Sequence, residues 1–160
     1  MKNEVTEKFI RARQKHCKSP LVVKSVQAVG GGIPNDCYGN AYDNVDHKKG
    51  IRVISGWLVG PYDAVSKTAE IIQHFWNADN DNNHFDTTFA TDLAGHEYVA
   101  DINLMAYYFR NDAKLNSHVA SSLLYVDGKY NMLIVSNDNH YLFKQIDELS
   151  TETLYRGSMK

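Results

Sequence analysis

The connection between two apolar segments in the middle of the chain constrains the fold most. Glu70–Ala78 (EIIQHFWNA) has the composition of a strand, and the run Asn77–Asn83 that follows is polar and rich in residues that tolerate positive φ. A second predicted strand, His84–Ala90, begins at once. Parallel strands need a crossover of a dozen or more residues, so these two strands are expected to be antiparallel neighbours. A doubly wound parallel sheet is thereby excluded.

The other segments predict the same architecture. Asp127-Gly128 between two β-rich runs is a strong hairpin signal. Further predicted strands are Leu21–Val29, Arg52–Val59, Ser122–Val126, 129–135 and Tyr141–Ile146, and predicted helices are 3–17 and Cys37–Val45. The tail around Glu152 is expected to fray or to form a last helical turn. The sequence predicts an α+β fold, with an N-terminal helix and a cysteine-bearing helix packed on an antiparallel sheet.

Length and composition indicate a single domain spanning residues 1–160. A chain of 160 residues that is 43% hydrophobic can bury one core, and its net charge of −2 argues against a nucleic-acid-binding protein. No stretch approaches the roughly 18 apolar residues of a membrane span, and the charged N-terminus lacks the apolar segment of a secretory signal. Two cysteines, Cys17 and Cys37, make neither a disulfide scaffold nor a four-cysteine zinc site. We expect a cytoplasmic protein with reduced thiols.

Basic residues are concentrated at the N-terminus. Residues 1–24 contain seven Lys or Arg against Glu4 and Glu7, so the rest of the chain is acidic. A basic helix on an acidic body can mark a surface for a protein partner. The alternative is a solvated helix that packs on the core through an apolar stripe containing Val5, Phe9 and Ile10.

Three predicted elements each carry one reactive side chain. Cys37 opens a helix after the loop Gly30–Asp36, His74 lies in a strand, and Asp86 lies on the next strand. A helix N-terminus and a neighbouring imidazole both favour the thiolate, which is the nucleophilic form of cysteine. Antiparallel pairing brings His74 and Asp86 onto adjacent strands, where the carboxylate can orient the imidazole. The alternative for each residue is structural: a small core cysteine, a buried histidine and a turn-capping aspartate.

Four short motifs follow one another along the chain: Cys37-Tyr38-Gly39-Asn40-Ala41, Ser55-Gly56-Trp57, His74-Phe75-Trp76 and Asp86-Thr87-Thr88. Together they resemble the transglutaminase-like superfamily of cysteine enzymes. The resemblance implies a papain-like fold with a catalytic core at about residues 30–100. It also implies that Cys37 is the nucleophile, His74 the base and Asp86 the residue that orients His74, with Trp57, Trp76 and Thr88 in support.

The activity that the resemblance implies is acyl chemistry on a protein or peptide-like amide, without a cofactor or a metal. A thioester on Cys37 would pass to water, as in a peptidase or amidase, or to an amine, as in a transferase. The backbone N–H of Cys37 and the side chain of Asn35 are candidate donors to the oxyanion. The chain departs from the family pattern where it has Asn35 in place of a glycine, Ala78 in place of an acidic residue and Thr87 in place of a proline.

Two other function classes are compatible with the residues. A non-catalytic interaction protein could keep the same scaffold and present the Asn-rich turn or the aromatic run Tyr107–Phe109 to a partner. An iron(II) oxygenase could use His84, Asp86 and His140, because His-x-Asp on a strand places both side chains on one face. Thiol reactivity and iron binding distinguish the three.

Overall fold

The structure, a computed structural model, describes two helices with assigned bounds, nine strands and a further short helical segment at 102–104, joined by turns and loops. The described residues are 4–34, 36–88, 95–104, 122–126, 128–132 and 149–153. The helices are α1 (Glu4–Gln14) and α2 (Cys37–Asp43). The strands are β1 (Val22–Lys24), β2 (Val26–Ala28), β3 (Arg52–Val59), β4 (Thr68–Ala78), β5 (His84–Asp86), β6 (Glu97–Ala100), β7 (Ser122–Val126), β8 (Lys129–Met132) and β9 (Leu149–Thr153). The class is α+β, as the sequence predicts.

The antiparallel pair β3 and β4 is the centre of the sheet. The strand order is β1-β6-β3-β4-β7-β8-β9, and β5 joins the free end of β4 and pairs with β2. Only Ser25 separates β1, which pairs with β6, from β2, which pairs in parallel with β5. The pairings β1-β6-β3-β4-β5-β2 therefore form a ring, so this part of the sheet curls round on itself.

The two faces of the β3–β4 pair have different neighbours. Side chains alternate along a strand, so Trp57 and Phe75 lie on one face while His74 and Trp76 lie on the other. Both helices cover the first face. Phe9 of α1 meets Trp57 edge-on with ring centroids 5.1 Å apart, and Cys37 of α2 packs in a cluster with Phe75. The second face points into the curled part of the sheet, where Trp76 packs with buried apolar residues.

A buried ion pair fastens α1 to the sheet. The carboxylate of Asp101 accepts from Arg13 Nε at 3.0 Å and from Trp57 Nε1 at 2.8 Å, and Arg13 is only 1% exposed. Lys8, another basic residue of α1, bonds Glu4 and Tyr125. The charge of Arg13 is therefore used inside the protein, and the prediction of a protein partner at this basic helix stays a prediction.

Most predicted strands are confirmed, with shifted ends. β3 has the predicted limits, β4 begins two residues early at Thr68, and the predicted strand Leu21–Val29 is interrupted at Ser25. The polar turn after β4 contains Asn82 at φ 61°, as expected of a residue that tolerates positive φ. The predicted strand Tyr141–Ile146 lies outside the described residues.

The prediction for the tail is wrong, because Leu149–Thr153 forms β9 and pairs in parallel with β8. The sequence of β9, LSTET, has no alternation of apolar and polar residues. It forms a strand because its backbone pairs with β8, and this pairing cannot be predicted from the local sequence.

No helix in the described ranges is long and apolar enough to span a membrane.

Gly56 faces His74 across the β3–β4 pair and is required by close packing. A Cβ at this position would lie 2.1 Å from the carbonyl oxygen of Val99 and 2.6 Å from the ring of Trp76. We expect Gly56→Ala to lower the free energy of unfolding by about 3 kcal/mol or more, since neither a strand backbone nor a packed indole can move aside easily.

Chemical denaturation of Gly56→Ala checks this expectation, with Gly128→Ala as the control. Gly128 has φ 78° and space for a Cβ. We therefore expect Gly128→Ala to lower the free energy of unfolding by about 1 kcal/mol, which is the cost of holding alanine at a positive φ. Equal losses in the two variants would contradict the packing role of Gly56.

Candidate active site

The loop before α2 and the start of the helix place Cys37. Gly30 and Gly31 have φ of 67° and 93°, and the loop ends at Asp36, whose side chain accepts a hydrogen bond from the backbone N–H of Gly39. Asp36 is thus the N-cap, and Cys37 is the first residue of the helix. Cys37 is buried, with 7% of its surface exposed.

Asn40 fastens this helix start to its surroundings. Its side chain accepts from the N–H of Ile33 and donates to the carbonyl of Ile33, both at 2.8 Å, and it also donates to Thr88 Oγ1 at 3.1 Å. The loop, the helix and the residues after β5 are joined through one amide. Cys37 therefore has little freedom to move relative to Asp86, two residues before Thr88.

Two further asparagines hold α2 to β4. Buried Asn77 donates to the carbonyl of Ala41 at 2.8 Å, and Asn44 donates to Asn77 Oδ1 and to Thr87 Oγ1, each at 3.0 Å. Buried amides that are fully paired fix one arrangement of the elements that they join. This network positions α2 on the strand that carries His74.

His74 and Asp86 form a buried pair. His74 Nε2 lies 2.7 Å from Asp86 Oδ2, and the two residues are 2% and 1% exposed. The same carboxylate oxygen accepts from the hydroxyl of Tyr98 at 2.7 Å, and Oδ1 accepts from the N–H of Thr88 at 2.9 Å. The carboxylate is therefore surrounded by three donors, and it fixes the orientation of the imidazole.

Cys37 completes the group from the other side of the imidazole. Burial lowers the pKa of His74, but hydrogen bonds to Asp86 and to the Cys37 thiol outweigh it and raise the pKa to about 9. Burial raises the pKa of Asp86, yet the hydrogen bond and the charge of His74 leave it below its usual value. Asp86 occupies Nε2, so Nδ1 is the ring nitrogen left for the thiol. At neutral pH this geometry favours an imidazolium between a carboxylate and a sulfur.

The strand pairing of β4 explains how side chains from two faces meet. β7 pairs with β4 only as far as Ile72, and β5 begins its pairing at Asn77. Among the described strands, none pairs with this edge of β4 between those points. His74 lies in that interval, and its imidazole is hydrogen-bonded there to the thiol of Cys37 from α2.

Two aromatic rings pack against the imidazole and against each other. Trp76 stacks near His74 with ring centroids 6.2 Å apart at 23°, and Tyr98 lies 5.8 Å away. Trp76 Nε1 donates to His84 Nδ1 at 2.9 Å. The ring of His74 thus sits in a largely apolar environment, where its bonds to Asp86 and Cys37 are strengthened.

The structure brings together Cys37, His74 and Asp86, with Trp76 and Thr88 beside them. Trp57 is the exception among the supporting residues. Its neighbour Gly56 pairs with His74, so the side chain of Trp57 points to the opposite face of the sheet. There it donates a hydrogen bond to Asp101, under α1. Asn35 lies outside the described residues. The family resemblance also does not identify Tyr98 as part of the site. In the sequence Tyr98 is marked only by its position in the β-rich segment EYVA.

The metal-site alternative has little support in this geometry. His84 Nδ1 accepts from Trp76, and both oxygens of Asp86 accept from protein donors. In the described ranges there is no cluster of three or more side chains suited to a metal ion, and His140 lies outside those ranges. The aromatic run Tyr107–Phe109 also lies outside them.

No protein-family model, curated protein or solved structure matches this chain. Inferences about function therefore depend on the residues and the geometry described above.

The two cysteines give a direct test of thiol activation. Burial, followed by the charge of Asp101, raises the pKa of Cys17 to about 11, so Cys17 is almost entirely a thiol at neutral pH. We expect iodoacetamide to alkylate Cys37 faster than Cys17 at neutral pH, because the imidazolium of His74 stabilises the thiolate. In His74→Ala the rate at Cys37 should fall at least about tenfold.

Peptide mass spectrometry of timed reactions measures both rates in one sample, with Cys17 as the internal control. Equal rates at the two thiols, or a Cys37 rate that His74→Ala leaves unchanged, would contradict activation by the imidazole.

The raised pKa of His74 also predicts how stability depends on pH. The folded-state pKa of about 9 exceeds the ordinary value of 6.5, so the stabilisation is fully present below pH 6.5 and is lost as the pH rises towards 9. We expect the free energy of unfolding to fall by up to about 3 kcal/mol over this interval. Urea titrations at several pH values test this, and His74→Gln should flatten the curve. A wild-type curve as flat as that of His74→Gln would contradict the charged pair.

Proposed function

We propose that this chain is a transglutaminase-like cysteine enzyme with a papain-like arrangement, acting on an amide of a protein or peptide-like substrate. The observation that carries the proposal is the buried imidazole of His74, bonded to Asp86 at Nε2 and to the thiol of Cys37. The three side chains come from α2, β4 and β5, and other bonds hold each element in place.

The proposed reaction begins with His74 already protonated as an imidazolium, and the sulfur of Cys37 beside it reacts as the thiolate. The thiolate attacks the carbonyl carbon, a C–S bond forms, and the backbone N–H of Cys37 is the proposed donor to the oxyanion. His74 then gives its proton to the leaving nitrogen as the C–N bond breaks, which leaves a thioester on Cys37. Water or an amine attacks the thioester while His74 accepts its proton. The C–S bond then breaks, which releases the acyl product and restores the Cys37 thiolate beside the imidazolium of His74.

Asp86 and Tyr98 would act on the orientation and charge of His74. The carboxylate holds the Nε2 proton and stabilises the imidazolium, and the hydroxyl of Tyr98 holds the carboxylate. Neither residue needs to touch the substrate. Trp76 and Thr88 support the same orientation through ring stacking and a backbone bond.

An activated ester tests the acyl chemistry without knowledge of the natural substrate. We expect p-nitrophenyl acetate to acetylate Cys37, and intact-protein and peptide mass spectrometry should locate the acetyl group there. Cys37→Ala should abolish this acetylation and His74→Ala should reduce it at least about a hundredfold, because a base contributes that much or more. Asp86→Asn should reduce it less than His74→Ala, since the amide can still hold the ring.

Cys17→Ser is the matched control and should react like the wild type. Added methylamine distinguishes the acceptors: N-methylacetamide indicates transfer, and acetate alone indicates hydrolysis. Preferential acetylation of Cys17, or acetylation of Cys37 that His74→Ala leaves unchanged, would contradict the proposal.

A second candidate, a non-catalytic protein on the same scaffold, is favoured by the burial of the thiol. Cys37 is 7% exposed and His74 is 2% exposed, so a substrate carbonyl has little direct access to the sulfur. In this case the three side chains would serve stability alone. Intact folding with no reaction at Cys37 towards iodoacetamide or the ester would establish this candidate over the enzyme.

A further inference from the structure

A pocket of about 300 Å³ lies beside Trp76 and does not include the candidate catalytic residues. Its lining includes residues of four strands that the curled sheet brings together: Lys24 from β1, Arg52 and Ile54 from β3, His84 from β5 and Ala100 from β6. Trp76 donates to His84 and stacks near His74, and His84 lies on the same strand as Asp86. The pocket is therefore close to the candidate active site, although none of Cys37, His74 and Asp86 lines it.

The charged lining of this pocket is cationic. Lys24 and Arg52 belong to it, and its described lining contains no acidic side chain. The guanidinium of Arg52 is held in place by bonds to the carbonyl of Asp79, at 2.8 Å, and to Asn82 Oδ1. The nearby carboxylate of Asp79 accepts from amides of its own turn at Asp81 and Asn83. Arg52 is thus an oriented cation in the pocket, and its guanidinium has further N–H groups beyond those that make these two bonds.

His84 contributes a neutral donor. Its Nδ1 accepts from Trp76 Nε1, so the proton of the neutral ring is on Nε2. Burial, and then the charges of Lys24 and Arg52, lower the pKa of His84 and keep the ring neutral at physiological pH. In the described part of the chain no acceptor is bonded to Nε2, so this N–H is available to a ligand.

Apolar side chains complete the pocket. Ile54 and Ala100 form part of the wall, and Ile102, at 64% exposed, stands at the rim. A large apolar side chain exposed beside a cationic pocket is suited to the non-polar part of a small molecule.

We propose that this pocket binds a small organic anion, with an oxyanion head on Lys24, Arg52 and His84 Nε2–H and its apolar part on Ile54 and Ile102. The head is a phosphate or a carboxylate, since both accept from a guanidinium, an ammonium and an imidazole N–H. The site is independent of the proposed catalysis and can be tested in the Cys37→Ala protein.

The indole N–H groups provide the readout. The chain has two tryptophans, and Trp76 donates to His84 whereas Trp57 donates to Asp101 on the other face. Titration of ¹⁵N-labelled Cys37→Ala protein with inorganic phosphate, acetate or butyrate should shift the Trp76 indole signal saturably and leave that of Trp57 in place. Tighter binding of phosphate than of acetate identifies the head as phosphate, and tighter binding of butyrate than of acetate identifies a carboxylate with an apolar tail.

Lys24→Gln and Arg52→Gln should each weaken the binding at least about tenfold, as expected for the loss of a charged hydrogen bond. Lys129→Gln, on the exposed end of β8, makes the same change of charge away from the pocket and should bind like the parent. The proposal is overturned if none of the three probes shifts Trp76 saturably, or if Lys129→Gln weakens binding as much as Lys24→Gln does.

Discussion

Asp86 has only 1% of its surface exposed, and a carboxylate in that position is stable only when donors replace the water that it has lost. His74, Tyr98 and the N–H of Thr88 are those donors. They come from β4, from β6 and from the chain after β5, so one carboxylate joins elements that the sequence separates widely. Loss of any donor would leave a buried charge under-solvated. The orientation of the imidazole, and with it the chemistry proposed for Cys37, depends on this group of bonds.

The curled sheet makes that group possible. β1 and β2 are consecutive in the chain, yet they pair on opposite sides of the central β3–β4 pair. This arrangement places β5 at the end of β4 and leaves an interval of β4 without a described strand partner around His74. In that interval Cys37 of α2 and His74 of β4 share a site. The same curvature brings Lys24, Arg52 and His84 together behind Trp76.

Local sequence determines much of this architecture. The short polar turn Asn77–Asn83 imposes antiparallel pairing on β4 and β5, and therefore predicts that His74 and Asp86 are neighbours. The cap at Asp36 and the glycines before it are equally local, and they predict that Cys37 begins a helix. The order of the three reactive residues along the chain can be read in the same way.

Other features depend on register and on distant partners. Trp57 and Trp76 look alike in sequence, but only the pairing of Gly56 with His74 shows that they lie on opposite faces. Tyr98 reaches Asp86 because β6 pairs with β3, a contact between segments about forty residues apart that no local pattern indicates. The strand β9 similarly exists through its pairing with β8. Propensity and periodicity describe each segment alone, so these relations become visible only in the folded chain.

The protonation state of His74 tests the central claim most directly. Nitrogen-15 NMR of the imidazole across a pH titration distinguishes a doubly protonated ring from a neutral one. Since burial opposes the charge and the bonds to Asp86 and Cys37 favour it, the ring should remain an imidazolium at neutral pH and titrate near pH 9. In Cys37→Ala the titration should move to lower pH, because the bond and the charge of the sulfur are gone. A ring that is neutral at pH 7 in the wild type, or a titration that Cys37→Ala leaves in place, would contradict the account.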